Sequence, residues 1–425
     1  MSDNIFVLGL DELNLETLRR LPGAEDYRFH HLLDIAEFRR EQVDLGALLD
    51  RACAELESFG GSIDAIVGYW DFPTSSMVPI LAERFGVRSA GLRSVVMCEH
   101  KYWSRLEQQK VIDEYLRFAL VDLERDRTLP ASLRYPVWLK PVKSFSSALA
   151  FRVEDDREFA RAVGEIRDGV GRVGEPFQRV LDHLDPLDVP AEVLAAGGQA
   201  CLAEEAATGA QLTVEGYRFE GETHIYGAVD SVSYPDSSSF LRYQYPSTVP
   251  AHLLERAGDV CDRVVDHFGL DSTTFNIEFF ADVDSDELTL LEVNPRHSQS
   301  HARLFEHVDG VPNHQCMVRL ALGRDPDLPY REGRYRMAAK WFLRRFTDGV
   351  VRRSPTSGEV AQVEREVPGT TVDVIAREGD RLSELSGQDS YSYELADLHI
   401  GADSEPELVA KYERCVGALP FEFDE

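Results

Sequence analysis

The chain has 425 residues, too many for one compact core and enough for two or three. Hydrophobic residues make up 43%, with 30 Gly and 20 Pro, a globular composition, and no run approaches the roughly 18 to 20 apolar residues of a membrane span. A formal net charge of -30 repels phosphate backbones and anionic lipid, which argues against nucleic-acid and membrane partners.

The start, Met-Ser-Asp-Asn running straight into a strand, lacks a charged leader and cleavage site, so the expected location is cytoplasmic. Cys53, Cys98, Cys201, Cys261, Cys316 and Cys415 form no Cys-x-x-Cys pair and read as buried small hydrophobes. Strands at Ile5 to Leu10 and Ala65 to Tyr69, each followed by a helix (Leu13 to Leu21, Ser75 to Phe85), predict an α/β unit over about 1–100. Gly9-Leu-Asp-Glu is no dinucleotide fingerprint. Gly68-Tyr-Trp-Asp71 closes the second strand, where ligands often bind, though ordinary loop packing is the first reading.

Lys101, Lys110, Lys140 and Lys143 fall in one short segment, although the chain has only six lysines. Lysine is a compact charge suited to phosphate oxygens. A helix is expected from Glu99 to about Phe118; Tyr135 to Ala148 reads as strand, loop, strand, with Ser144, Ser146 and Ser147 in the loop. Leu202 to Gly216 follows, then a strand over Thr223 to Val232, a turn-rich loop from Tyr234 to Phe240, and a helix from Leu253 to Phe268.

The segment Thr274 to Arg296 carries the strongest signal. Two apolar runs flank Asp284-Ser-Asp-Glu287, the pattern of a β-hairpin. A turn centred near Ser285 sets Glu278 opposite Glu292, with Cβ atoms roughly 4.5 to 5.5 Å apart. Period-two alternation puts Asn276, Glu278, Glu292 and Asn294 on one face and Phe275, Ile277, Phe279, Leu291 and Val293 on the other. Opposed carboxylates repel unless a cation lies between them, and an all-oxygen ligand set suits Mg²⁺, with Mn²⁺ as the alternative ion. A helix near Asn313 to Leu322 follows; residues 326–425 are rich in short strands and end in a helix over Glu405 to Ala418. There Lys340, Arg344 and Arg345 read as solvated strand charge ahead of a substrate contact.

Glu278 with Glu292-Val-Asn294-Pro-Arg296 resembles the metal signature of the ATP-grasp superfamily, and most of the chain follows that family's order. The resemblance implies an α/β protein, α+β in parts: an ATP-grasp fold over 101–325 with a small nucleotide lid at about 130–205, preceded by a Rossmann-like substrate-side domain and followed by a β-rich extension. It implies Lys101, Lys140 and the serine loop on the phosphates of ATP, with serines where relatives carry glycines. Glu204, Glu205 and Ala207 would border the adenine, and Gln211 would stand where relatives place a ribose-binding Glu. Glu278, Glu292 and Asn294 would hold Mg²⁺, with Arg296 on the reacting carboxylate. His297 and His301 read first as structural. The implied activity is a carboxylate-amine ligase, similar to L-amino-acid and D-alanine:D-alanine ligases, acting on small-molecule carboxylates and amines through an acyl phosphate; a homodimer would be ordinary for the family. The rival expectations are a bicarbonate-using enzyme of the biotin carboxylase or carbamoyl-phosphate type, against which Ser300 stands where such carboxylases carry a base Glu, and a non-catalytic ATP-binding regulator.

Overall fold

The computed structural model describes residues 2–38, 43–144, 149–385, 388–389 and 391–424. Three parallel strands, β1 (Asp3–Leu8), β2 (Tyr27–Leu32) and β3 (Ala65–Val67), form an N-terminal sheet in the order β2-β1-β3. Ile5, Val7 and Leu8 have no exposed surface, and Phe6 very little, as a parallel strand covered on both faces requires. Gly68 ends β3 because a Cβ there would meet Thr74 Cγ2 at 2.4 Å, in the helix Thr74–Phe85. This close approach turns the chain into the Tyr69 to Asp71 loop.

A second sheet is antiparallel: β4 (Phe118–Val121), β5 (Val137–Pro141), β6 (Phe151–Val153) and β7 (Cys201–Glu205), ordered β4-β7-β5-β6. The helix Asp156–Gly169, capped by the Asp155 side chain, lays Phe159, Val163 and Ile166 against Val137 and Leu139 to give this sheet its own core.

The third sheet has eight strands, in the order β12-β11-β8-β9-β10-β13-β16-β15. Its members are β8 (Ala210–Phe219), β9 (Glu222–Ser233), β10 (Phe240–Tyr245), β11 (Thr273–Asp282), β12 (Glu287–Asn294), β13 (Met337–Arg345), β15 (Thr370–Val374) and β16 (Tyr393–Ala402). Short strands β14 (Val350–Arg353) and β17 (Glu422–Asp424) pair separately. One face of the large sheet packs Leu212, Val214, Phe275, Ile277 and Phe279 into a core shared with the helix Ala251–Phe268. The other face is polar. Its register runs unbroken from Phe280 through Gln211, Ser231, Tyr243, Lys340 and His399 to Thr371, and residues paired in this way share a face.

The helix expected to run from Glu99 to Phe118 is shorter. Leu92–Glu99 and Lys101–Gln108 are separate helices that meet at His100, whose extended backbone breaks the first and whose Nδ1 accepts from Trp103 N to cap the second. After Gln108 the chain is captured by the hairpin, where Leu290 N donates to Glu114 O at 2.7 Å, and Phe118 begins β4. All six cysteines are free and buried. Among the described residues no helix is long and apolar enough to cross a membrane.

Gly216 pairs with Phe275 in the sheet, and a Cβ added there would lie 2.4 Å from Phe275 Cζ and 2.8 Å from His224 O. Neither atom can yield without moving the core, so Gly216→Ala is expected to destabilise the protein by about 1–3 kcal/mol, read as a lower urea midpoint at unchanged slope.

Candidate active site

In the hairpin β11–β12, Glu278 faces Glu292 and Asn276 faces Asn294, as the alternation predicts. The register then slips by one, so that Phe279 pairs with Leu290, which is fully buried, and the expected core position of Leu291 passes to Leu290. This bulge turns the Leu291 carbonyl toward Arg105, whose Nη2 donates to it.

The two glutamates differ in their surroundings. Burial, then the charge of Glu292, pushes the Glu278 carboxyl up to about 7. Burial would raise Glu292 as well, but Lys101, then Lys140, outweighs it and holds that carboxyl below its ordinary value. The Lys101 ammonium lies 2.7 Å from Glu292 Oε1. Glu278 receives Gln211 Nε2 at 3.1 Å and, at 3.4 Å, Asn294 Nδ2, which also donates to Asn276 Oδ1. The Asn294 amide oxygen has no hydrogen-bond partner among the described residues. Two carboxylates and this oxygen are a donor set for a hard cation such as Mg²⁺. Among the described residues no group of three His, Cys, Asp or Glu side chains is gathered for a metal, so the amide is needed to complete the set.

Lys101 opens its helix with its N–H bonded to Val142 O at 2.8 Å, which ties the helix start to the loop after β5. Its Nζ also donates to the carbonyl of buried Ser144 at 3.2 Å. Ser146 and Ser147 lie outside the described residues. Lys140 on β5 pairs with Glu204 at 2.5 Å, and burial lowers its pKa against the pull of Glu204. The Glu204 side chain is 1% exposed, clamped between Lys140 and Arg105 Nε at 2.6 Å. It supports Lys140 from beneath, and its backbone lies in the ladder between β4 and β5, so neither part of it is placed to border the base as expected from the sequence. Arg105 was missed; its signal is its place one turn after Lys101, on the same helix face. Glu205 is engaged by Arg134 N at 3.0 Å. Ala207, in the link between β7 and β8, makes no backbone hydrogen bond with the described residues.

Arg296 reaches the N-terminal unit. Its Nη2 lies 2.9 Å from Asp71 Oδ2, and Lys143 Nζ lies 2.9 Å from Asp71 Oδ1. These cations hold Asp71 well below the usual carboxylate range despite its burial. Lys143 is also 3.5 Å from Glu99, which accepts from Ser75 and Ser76. The 68–71 loop, expected first as ordinary packing, thus reaches Arg296 and Lys143 through Asp71. Behind Arg296, buried Glu215 accepts from Ser298 N at 3.1 Å and Tyr226 Oη at 2.9 Å, and pairs with His301 at 2.7 Å. His297 has no exposed surface, and burial pushes its imidazole well below its ordinary value. Both histidines brace the loop, as expected.

Residues 133–302 match the family model of the ATP-grasp domain. Among solved structures, an L-amino acid ligase from Bacillus licheniformis superposes with a TM-score of 0.73 at 14% identity, over 100% of this chain and 99% of that one. A biotin carboxylase from Campylobacter jejuni, in complex with β-γ-ATP, gives 0.67 at 13% identity over 99% and 92%. A phosphoribosylglycinamide synthetase from Anaerococcus prevotii gives 0.66 at 11% identity over 100% of both chains. No curated protein matches the chain in sequence. Residues 133–302 thus resemble an ATP-grasp domain, and the solved structures share the fold of the chain.

In the metal-free protein the Glu278 carboxyl is expected to titrate near 7, visible as a ¹³C carboxyl shift absent from Glu278→Gln. Because its folded value lies above the unfolded one, this group favours the folded state below about pH 4.5, and the contribution is lost as pH rises toward 7. Glu278→Gln should therefore flatten the decline in stability between those limits.

Proposed function

We propose that the protein is an ATP-dependent carboxylate-amine ligase that forms an amide or dipeptide and releases ADP and phosphate. The observation that carries this reading is the opposed pair Glu278 and Glu292, one carboxyl pushed up to about 7 by burial and by the charge of the other, bordered by buried Lys101, Lys140 and Lys143 and by half-buried Arg296. Glu278, Glu292 and the Asn294 amide oxygen would hold Mg²⁺. Bound there, the ion offsets charge on the phosphate oxygens during phosphoryl transfer.

The remaining work falls to the chain itself. Lys101 and Lys140 supply fixed positive charge for the phosphates, with Lys140 set in place by Glu204. Ser144 borders the same space, and the backbone of Ala207 suits an adenine edge. Arg296 and Lys143 already grip one carboxylate between them, that of Asp71. The same fork suits a substrate carboxylate and the acyl phosphate made from it, and Arg gives a planar grip that Lys would not. An amine then attacks the acyl phosphate, forms the C–N bond and expels phosphate. Both substrates are free small molecules in this reading.

ADP release measured against panels of carboxylates and amines, with mass detection of the coupled product, tests the proposal. Release is expected only when both partners are present, and EDTA should abolish it. Glu292→Gln is expected to lower turnover by at least about 100-fold, and Arg296→Lys to reduce kcat/KM by about 10- to 100-fold. Bicarbonate-dependent ADP release without an amine would instead mark a carboxylase, and nucleotide binding with no release under any pairing would mark a regulator.

A further inference from the structure

The polar face of the large sheet continues well past the hairpin. Three strands beyond β8, at the register position of Tyr243, Lys340 lies 2.6 Å from Asp397 Oδ2, with the two side chains 11% and 14% exposed. Arg344, 7% exposed, places Nη2 2.8 Å from Glu394 Oε2 and Nη1 3.0 Å from Asp389 Oδ2. Asp373 and Arg303 pair beside them at 3.0 Å. Lys340 and Arg344 were expected to be solvated strand charges; they are buried because β16 and β15 flank β13 and Asp389, Ser392 and Glu394 close on Arg344.

Burying such a group is not explained by stability, since apolar side chains of similar volume usually do as well or better. Its charges also fail to balance. Four carboxylates (Glu394, Asp397, Asp389, Asp373) face three cations (Lys340, Arg344, Arg303), and burial keeps His399 neutral. Burial, then Asp397, drives the Glu394 carboxyl up to about 8, so near neutral pH the pair retains a proton in place of a fourth cation.

Two polar atoms here are left short of partners among the described residues. Asp397 Oδ1 is buried and receives no N–H or hydroxyl from the described residues, apart from the proton that its carboxyl shares with Glu394. The Tyr243 hydroxyl makes no hydrogen bond with the described residues, although its ring is wedged edge-on against His301 at 5.1 Å and Phe342 at 4.9 Å. Tyr243 also feels the charges of both Glu278 and Glu394, so it stands between this group and the hairpin carboxylates.

We propose that Asp397, Glu394 and the Tyr243 hydroxyl form a subsite for a protonated amine or guanidinium carried by a substrate away from its reacting group. The proposal rests on the ligase reading and gives it a substrate class: linear basic amino acids or diamines. At about 4.8 Å per strand, three strand spacings separate β11, which carries Glu278, from β10, which carries Tyr243, by roughly 14 Å, a gap that their long side chains narrow, and β13 and β16 with Lys340 and Asp397 follow next in the sheet. Lys340 and Arg344 hold the two carboxylates in place and exclude an anionic end group.

Calorimetric titration of the whole chain with Mg-ADP present, using lysine against norleucine and 1,5-diaminopentane against 1-aminopentane, tests the subsite without requiring turnover. The charged member of each pair should bind about tenfold or more tightly. Asp397→Asn should erase that preference while leaving norleucine within about threefold. Tyr243→Phe, which removes only a hydroxyl, serves if Asp397→Asn does not fold, and should weaken lysine about threefold. Equal affinities in the unaltered protein, tighter binding of glutamate, no binding of either cation, or an undiminished preference in both variants would overturn the proposal. Charge preference in binding with no ADP release from any pair would count against the ligase reading alone; turnover with no charge preference would count against the subsite alone.

Discussion

The repulsion between Glu278 and Glu292 is the constraint around which the centre of the molecule is arranged. Two carboxylates opposed on a ladder cannot both be charged in a partly buried setting without a compensating cation. The protein meets this unevenly: Lys101 neutralises Glu292, while Glu278 has only amide donors and stays protonated to about 7. Two carboxylates and the Asn294 amide oxygen together are a donor set that suits a divalent ion.

Cations in this acidic chain are scarce and none near the site is idle. Lys101 takes Glu292, Lys140 takes Glu204, and Lys143 and Arg296 share Asp71. Each ammonium or guanidinium is thereby kept extended and oriented in a low-dielectric space, where a free lysine would fold back or shed its proton. Anionic ligands entering here meet charges already in position, so reorganisation at the moment of binding is small. Arg105 and Glu204, both almost fully buried, form the base of this arrangement and join the helix Lys101–Gln108 to β7.

The large sheet turns a local hairpin into an extended surface. Since β13, β16 and β15 continue the sheet that begins with β12 and β11, the residues beyond 326 share a face with the metal-ligand candidates and do not form a separate appendage. One register row carries polar side chains from Gln211 to His399, which allows the far strands to take part in what happens at the near ones.

The amino-acid sequence alone determined the features set by short-range periodicity. The strand alternation of Thr274 to Val293 with its polar turn placed Glu278 against Glu292, and the order of lysines, hinge and carboxylates indicated the ATP-grasp arrangement. Burial of all six cysteines and the final helix, Glu405–Ala418, followed from composition and local pattern in the same way. Contacts between distant segments were beyond its reach. Asp71 meets Arg296 across 225 positions and Arg105 meets Glu204 across 99, and no periodicity encodes such pairings. The bulge that exchanged Leu291 for Leu290 arises where Arg105 claims a carbonyl, and the burial of Lys340 and Arg344 depends on which strands close over them. Local pattern decides which way a side chain points; only the assembled sheets decide what it meets there.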